Sequence, residues 1–122
     1  MRALLVDDSR AMRTILRKIL LANGFEVHEA GHGVEALQAL DKIPLPELAL
    51  IDWNMPVMTG IELVRFLRAD PRYARIRILM VTTESETSQM AEALKAGVDE
   101  YAMKPFTAEV IAEKIAMLGL RS

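Results

Sequence analysis

Three carboxylates near the ends of apolar segments are the residues best placed for chemistry. Asp7 and Asp8 follow the apolar run at residues 3–6, and Asp52 directly follows the wholly apolar run at 48–51. Carboxylates gathered at one place repel one another and resist ionisation unless a cation lies among them. Mg²⁺ prefers a shell of oxygen ligands, usually one or two carboxylates with waters and phosphate oxygens. We therefore predict that Asp7 and Asp8 bind Mg²⁺ and that Asp52 stands beside it.

The same residues permit phosphoryl transfer. A carboxylate such as that of Asp52 can attack phosphorus and form an aspartyl-phosphate. Such transfer needs positioning and charge neutralisation more than covalent help. The Lys104 ammonium offers a second positive charge, and the Thr82 hydroxyl can donate to a phosphoryl oxygen.

Taken singly, each of these residues has a plainer explanation. An Asp after a strand is most often a turn or helix-cap residue, which for Asp8 alone is the better interpretation. A lone lysine such as Lys104 is usually solvated, and Thr82 alone would cap the next helix or fill the end of its strand. We expect His28 and His32 to face solvent, without a metal. The phosphoryl hypothesis therefore rests on the whole set occurring in order, each member at a strand end.

Short apolar segments alternate with helical patterns along the chain, and this alternation sets the expected positions of these residues. The predicted strands are residues 3–6, 25–29, 48–51, part of 76–81, and 100–103. The first predicted helix buries a stripe at helical spacing that comprises Met12, Ile15, Leu16, Ile19 and Leu20. Further helices are predicted at 34–40, 61–67 and 86–96. The last begins at the cap residue Thr107 and buries Val110, Ile111, Ile115 and Leu118.

Five strand–helix pairs in a row predict an α/β fold. We expect a five-stranded parallel sheet with helices on both faces, joined by right-handed crossovers. Ligands of such doubly wound sheets bind beyond the carboxyl ends of the strands, where the strand order reverses. The Asp, Thr and Lys residues named above all follow strands, so we expect them on that one edge.

Composition excludes several other classes of function. The 122 residues suit a single domain, and 15 basic against 17 acidic residues give a net charge of -2, which argues against nucleic-acid binding. There is no cysteine, which excludes disulfides, thiolate catalysis and a cysteine zinc site. The apolar runs are too short to cross a bilayer, so we expect a cytoplasmic protein without a membrane contact.

Four sequence motifs together resemble the receiver domain of bacterial two-component response regulators, and most closely the stand-alone chemotaxis regulators. They are VDD at 6–8, DWNMP at 52–56 with its continuation to Gly60, VTTE at 81–84, and YAMKPF at 101–106. The resemblance covers residues 1–122 as one domain and implies the flavodoxin-like (βα)5 fold. It implies a signalling switch rather than an enzyme, since a receiver assists only its own phosphorylation and dephosphorylation.

The resemblance also assigns roles at the acidic site. Asp52 would be the phosphoacceptor, supplied by a phosphohistidine of a partner kinase or phosphotransfer protein. Asp8 would bind Mg²⁺ directly and Asp7 mainly through water. Asp52 and the backbone carbonyl of Asn54 would complete the protein ligands.

Further roles concern the response to phosphorylation. Lys104 would pair with the phosphoryl group, and its peptide bond to Pro105 would be cis. Thr82 would be the switch hydroxyl, and Tyr101 the aromatic side chain that turns inward when Thr82 engages the phosphate.

Thr83 and Glu84 would modulate access to the phosphoryl group. Thr83 departs from the small residue that is common there, and His32 stands where Asn or Asp often precedes Gly33. We expect these departures to affect rates of phosphorylation and dephosphorylation, not the activity itself.

Several functions remain open at this level. The leading hypothesis is a monomeric switch that binds an output target, such as a flagellar motor switch protein, on the face formed by the fourth helix, the fifth strand and the last helix. The alternatives are a phosphorelay intermediate, a receiver cut from a longer regulator if Arg121 and Ser122 are a cloning remnant, and a Mg²⁺-dependent phosphatase. A haloacid-dehalogenase-like phosphatase would need a D-x-D pattern after the first strand, which the adjacent Asp7 and Asp8 do not provide.

Overall fold

Strands and helices alternate along residues 1–120, which are the residues that the computed structural model describes. The strands are β1 (Arg2–Val6), β2 (Glu26–Ala30), β3 (Leu48–Ile51), β4 (Arg77–Thr82) and β5 (Glu100–Met103). The helices are α1 (Arg10–Ala22), α2 (Gly33–Leu40), α3 (Gly60–Ala69), α4 (Thr87–Ala96) and α5 (Ala108–Met117), and a short 3-10 helix (Pro71–Tyr73) follows α3. Arg121 and Ser122, which bear on the cloning-remnant hypothesis, lie outside the described residues.

The five strands form one parallel sheet in the order β2-β1-β3-β4-β5, which confirms the predicted fold class. The order reverses at β1, so β1 lies between β2 and β3. Val6 at the end of β1 is paired with Ile51 at the end of β3. The Asp52 N–H then donates to the Val6 carbonyl oxygen at 3.0 Å. Asp7 and Asp52 therefore leave the sheet from adjacent strands, at the position where such folds bind ligands.

Two hydrophobic clusters cover the two faces of the sheet. Residues of α2, α3 and α4 pack on one face, where Leu63 and Leu67 are fully buried. Residues of α1 and α5 pack on the other, where Leu16 and Ile111 are buried. Because β1 and β3 are covered on both faces, their apolar residues run continuously instead of alternating. Within residues 1–120, no helix is long and apolar enough to cross a membrane.

Side-chain caps explain where most helices begin. The hydroxyl groups of Ser9, Thr59 and Thr107 accept backbone N–H groups at the starts of α1, α3 and α5. The predicted Thr107 cap is thus confirmed, and Thr59 forms a reciprocal capping box with Glu62. The Ser9 cap fixes where the loop with Asp7 and Asp8 ends and α1 begins, and the Thr59 cap does the same for the loop between Asp52 and α3.

The structure corrects two predicted core residues. Ile15 is 49% exposed, because α1 turns only Leu16 and Leu20 fully onto the sheet. Val110 is 36% exposed, because α5 buries a narrow stripe limited to Ile111 and Ile115. Some strands also differ by one residue from the predicted bounds: β2 begins after Phe25, and β4 extends through residue 82.

Candidate functional site

The carboxyl ends of β1 and β3 carry a cluster of three aspartates. Asp7 and Asp52 are buried, whereas Asp8 is exposed. One carboxylate oxygen from each of the three lies within 4.8 Å of the other two. This set of closely spaced, charged oxygen donors suits a hard cation such as Mg²⁺. The structure therefore brings together the three carboxylates that the sequence predicted as metal ligands.

Lys104 joins two of these carboxylates. Its Nζ lies 2.8 Å from Asp7 Oδ2 and 3.2 Å from Asp52 Oδ2. Burial alone would lower the pKa of Lys104, but the hydrogen bond that Lys104 donates to Asp7 and the charges of Asp52 and Asp7 outweigh it, so that the pKa is raised. Lys104 is consequently a cation at neutral pH. The peptide bond from Lys104 to Pro105 is cis, as expected.

Arg13 and Ser9 also hold Asp7, and neither was predicted. The Ser9 N–H donates to Asp7 Oδ1 at 2.8 Å, and Arg13 Nη1 donates to the Asp7 carbonyl oxygen at 2.6 Å. The Asp7 N–H donates to the Ala30 carbonyl oxygen at 3.1 Å. The sequence signal for Arg13 was weak, since it is one of four basic residues on α1 that lie off the apolar stripe.

The loop after β3 closes tightly over Asp52. The Asn54 N–H lies 3.4 Å from Asp52 Oδ1. The Gly60 N–H donates to the Trp53 carbonyl oxygen at 2.8 Å, and a Cβ at Gly60 would overlap the carbonyl oxygen of Asp52. Val57 at the tip of this loop has a φ of 70° and is exposed. Sequence reasoning used Gly60 only as a motif residue, although its missing side chain is what permits this approach.

Thr82 is the fully buried last residue of β4. Its hydroxyl lies 3.4 Å from the Glu84 N–H, and its carbonyl oxygen accepts the Lys104 N–H at 2.9 Å. The register pairs Ile51 with Met80, so Thr82 lies two positions further along, next to the acidic edge. Thr83 is exposed beyond it.

Glu84 connects the acidic site to Tyr101. The Asn54 side-chain amide donates to Glu84 Oε1 at 2.7 Å, and the Tyr101 hydroxyl donates to the Glu84 carbonyl oxygen at 2.6 Å. The Tyr101 ring is buried, and burial, with the charges of Glu84 and Asp52, raises its pKa to about 12. Tyr101 thus lies inward and reaches the β4–α4 loop, but it is not hydrogen-bonded to the carboxylates.

The two histidines lie apart from the acidic cluster. His28 Nε2 lies 3.2 Å from Glu26 Oε2 on β2. His32 caps α2, since its Nδ1 accepts the Glu35 N–H at 3.2 Å. Both side chains are partly exposed, and His32 performs the capping that Asn or Asp would otherwise perform.

Comparison with known proteins agrees with this geometry. The profile of the response regulator receiver domain matches residues 3–116. The chain is 46% identical over 119 residues to the chemotaxis protein CheY1 of Helicobacter pylori strain J99, which is 97% of this chain and 96% of that protein. It is 47% identical over 116 residues to the chemotaxis protein CheY homolog of Campylobacter jejuni, which is 94% of this chain and 89% of that one.

A solved structure shows the same architecture. The chemotaxis protein CheY4 of Vibrio cholerae superposes with a TM-score of 0.89 at 34% sequence identity, covering 96% of this chain and 97% of that one. The profile match and these relatives span nearly the whole chain and include the acidic edge of the sheet. The chain therefore belongs to the family of response regulator receiver domains, which are signalling domains of two-component systems.

Proposed function

We propose that this chain is the phosphorylation-dependent switch of a chemotaxis pathway and that Asp52 is its phosphoacceptor. The chemotaxis assignment is supported by the names of its relatives. One observation carries the assignment of Asp52: its carboxylate is paired with Lys104, whose side chain is only 12% exposed, among two further carboxylates at the edge of the sheet. That arrangement presents a nucleophilic oxygen next to positive charge, as phosphoryl transfer requires.

The phosphoryl donor is a phosphohistidine of a kinase or phosphotransfer protein. An Asp52 carboxylate oxygen forms the new P–O bond while the P–N bond to the donor imidazole breaks. The imidazole leaves with the bonding electron pair and takes a proton from solvent. Lys104 Nζ, which is 3.2 Å from Asp52 Oδ2, neutralises the charge that the phosphoryl group brings.

Asp7, Asp8 and Asp52, with the backbone carbonyl of Asn54, would bind Mg²⁺, the hard cation that suits this oxygen donor set. When bound, Mg²⁺ would supply positive charge to the phosphoryl oxygens. The covalent product remains on Asp52 and changes what the chain binds, so the chain acts as a switch and not as an enzyme on an outside substrate. We place this switch in the cytoplasm as a monomer.

The output side of the switch is the face formed by α4, β5 and α5. A phosphoryl group at Asp52 would attract the Thr82 hydroxyl, since the bond to a charged oxygen is stronger than one to a neutral acceptor. When the Thr82 side chain moves toward the phosphoryl group, it would leave space beside it. The Tyr101 ring, which is already buried, would occupy that space and stay in its inward position. The partner on this face is an output target such as a flagellar motor switch protein.

The phosphoacceptor is tested by incubating the chain with acetyl phosphate and Mg²⁺ and measuring its intact mass. We expect one added phosphoryl group, which peptide mapping places on Asp52. Asp52→Asn keeps the shape of the side chain but removes the nucleophilic charge, so it should gain none. Asp41→Asn, at the exposed end of α2, is the matched control and should be labelled like the wild type. Full labelling of Asp52→Asn would overturn the assignment.

The coupling residue is tested separately by titrating a partner peptide against phosphorylated chains. Thr82→Ala should retain phosphorylation at Asp52 but lose the gain in affinity that phosphorylation gives. Equal enhanced affinity of phosphorylated wild type and phosphorylated Thr82→Ala would mean that Thr82 does not transmit the signal to Tyr101.

A further inference from the structure

Arg13 reaches from the start of α1 to the backbone of the acidic pair. Its Nη1 lies 2.6 Å from the carbonyl oxygen of Asp7, which belongs to the peptide group that joins Asp7 to Asp8. On the other side, its Nε donates to Glu29 Oε1 of β2 at 3.1 Å. The Arg13 side chain is only 18% exposed. The guanidinium is therefore fixed at two points and holds this one peptide group in place.

Asp8 depends on that peptide group more than Asp7 does. Asp7 is held through its N–H, its carbonyl oxygen and both carboxylate oxygens. The Asp8 carboxylate is exposed and makes no side-chain hydrogen bond to any of residues 1–120. The backbone, which Arg13 anchors immediately before Asp8, therefore sets the direction of the Asp8 Cα–Cβ bond and with it the region that the carboxylate can reach.

We propose that Arg13 is a positioning residue for the metal site. It fixes the peptide group between Asp7 and Asp8 and thereby directs the Asp8 carboxylate toward the oxygens of Asp7 and Asp52. This inference rests on the proposed function, because it requires that the three carboxylates bind Mg²⁺.

Electrostatics alone makes the opposite prediction. The Arg13 guanidinium is a positive charge near the carboxylates, so it repels a second cation, and its removal would strengthen Mg²⁺ binding. Positioning predicts that its removal weakens Mg²⁺ binding, because residues that orient metal ligands typically contribute about 10- to 100-fold in affinity. The sign of the change in Mg²⁺ affinity therefore separates the two effects.

The test is a Mg²⁺ titration of the full chain by calorimetry and by Trp53 emission, with no phosphoryl donor. Arg17→Ala is the matched control for Arg13→Ala. It removes the same charge and the same kind of bond to Glu29, at 3.1 Å, but Arg17 donates to the Val27 carbonyl oxygen and not to Asp7. We expect Arg13→Ala to raise the Mg²⁺ dissociation constant roughly 10-fold. Arg17→Ala should change it less than about twofold, since an exposed charge is screened.

Two milder variants keep the test decisive if Arg13→Ala does not fold. Arg13→Lys keeps the charge and can reach one of the two acceptors, so it should recover part of the affinity. Glu29→Gln loosens the second anchor of Arg13 and should weaken Mg²⁺ binding by less than Arg13→Ala does. Melting in Mg²⁺-free buffer identifies the folded variants, because a merely structural role would change the melting temperature and leave the Mg²⁺ affinity of the folded chain unaltered.

The outcomes separate this inference from the function on which it rests. If wild type responds to Mg²⁺ and folded Arg13→Ala or Arg13→Lys binds the ion equally or more tightly, the positioning role is overturned and the metal site stands. If wild type itself shows no response to Mg²⁺, the metal site fails and the inference fails with it.

Discussion

Replacing Lys104 by methionine tests whether its ammonium is the counter-ion that the site needs for folding. Methionine keeps an unbranched chain of similar length, so the apolar part of the packing is retained. The variant leaves Asp7 and Asp52 side by side without the cation that lies 2.8 Å and 3.2 Å from their oxygens. We expect a large loss of stability in Mg²⁺-free buffer and a partial recovery when Mg²⁺ is added.

The magnitude follows from burial. The side chains of Lys104, Asp7 and Asp52 are 12%, 2% and 9% exposed, so solvent screens these charges poorly. Removing one partner of a buried ion pair costs about 3–5 kcal/mol. For a chain of this size that corresponds to a melting temperature lowered by roughly 10–25 °C. Mg²⁺ at a hundred times its dissociation constant restores about 2.7 kcal/mol by linkage, because it binds only the folded site.

Thermal melts of wild type and Lys104→Met with and without Mg²⁺ measure both effects. Lys114→Met is the matched control. Lys114 Nζ makes a similar 2.9 Å bond to Glu100, but both side chains are more exposed, so its loss should cost less than about 1 kcal/mol. If Lys104→Met melts like Lys114→Met in Mg²⁺-free buffer, the counter-ion role of Lys104 is refuted.

Three further predictions concern the acidic pair, the β3–α3 loop and the aromatic residue. Asp8→Ala relieves repulsion, so it should be no less stable than wild type without Mg²⁺ yet insensitive to the ion; an unchanged Mg²⁺ response in thermal melts would remove Asp8 from the site. Gly60→Ala places a Cβ against the carbonyl oxygen of Asp52 and should lower the free energy of unfolding in urea by about 1–3 kcal/mol; a loss below about 0.5 kcal/mol would contradict the close approach. The pKa of Tyr101 is raised from 10.0 to about 12 on folding, so the unfolded chain releases the phenol proton first and stability should fall as pH rises between these values. Tyr101→Phe should make that fall shallower in unfolding curves followed by Trp53 emission, and an identical pH dependence would show that the phenol is not responsible.

Most of the site could be predicted because it depends on strand ends. The runs at 48–51 and 100–103 are observed as β3 and β5 with the predicted bounds. Strands in a parallel sheet place their carboxyl ends on one edge, so Asp7, Asp52 and Lys104 were expected to meet there, and they do. Where a single face of a helix mattered, prediction was weaker: Ile15 and Val110 fit the apolar spacing but are exposed, because spacing does not reveal how wide a stripe the sheet covers.

The contacts between neighbouring strands, helices and loops could not be predicted, because they depend on the fold of the whole chain. Arg13 meets the Asp7 carbonyl because α1 folds back along β1, and Glu84 joins Asn54 and Tyr101 because β4 lies between β3 and β5. These contacts link residues on different elements, and no local pattern of hydropathy or capping records which elements are neighbours. From the sequence alone, the apolar runs predict the architecture, and the polar residues that follow them predict the chemistry of the acidic edge. Which oxygen each cation contacts, and which backbone groups orient the carboxylates, follow from strand order, register and packing, because those are properties of the assembled sheet.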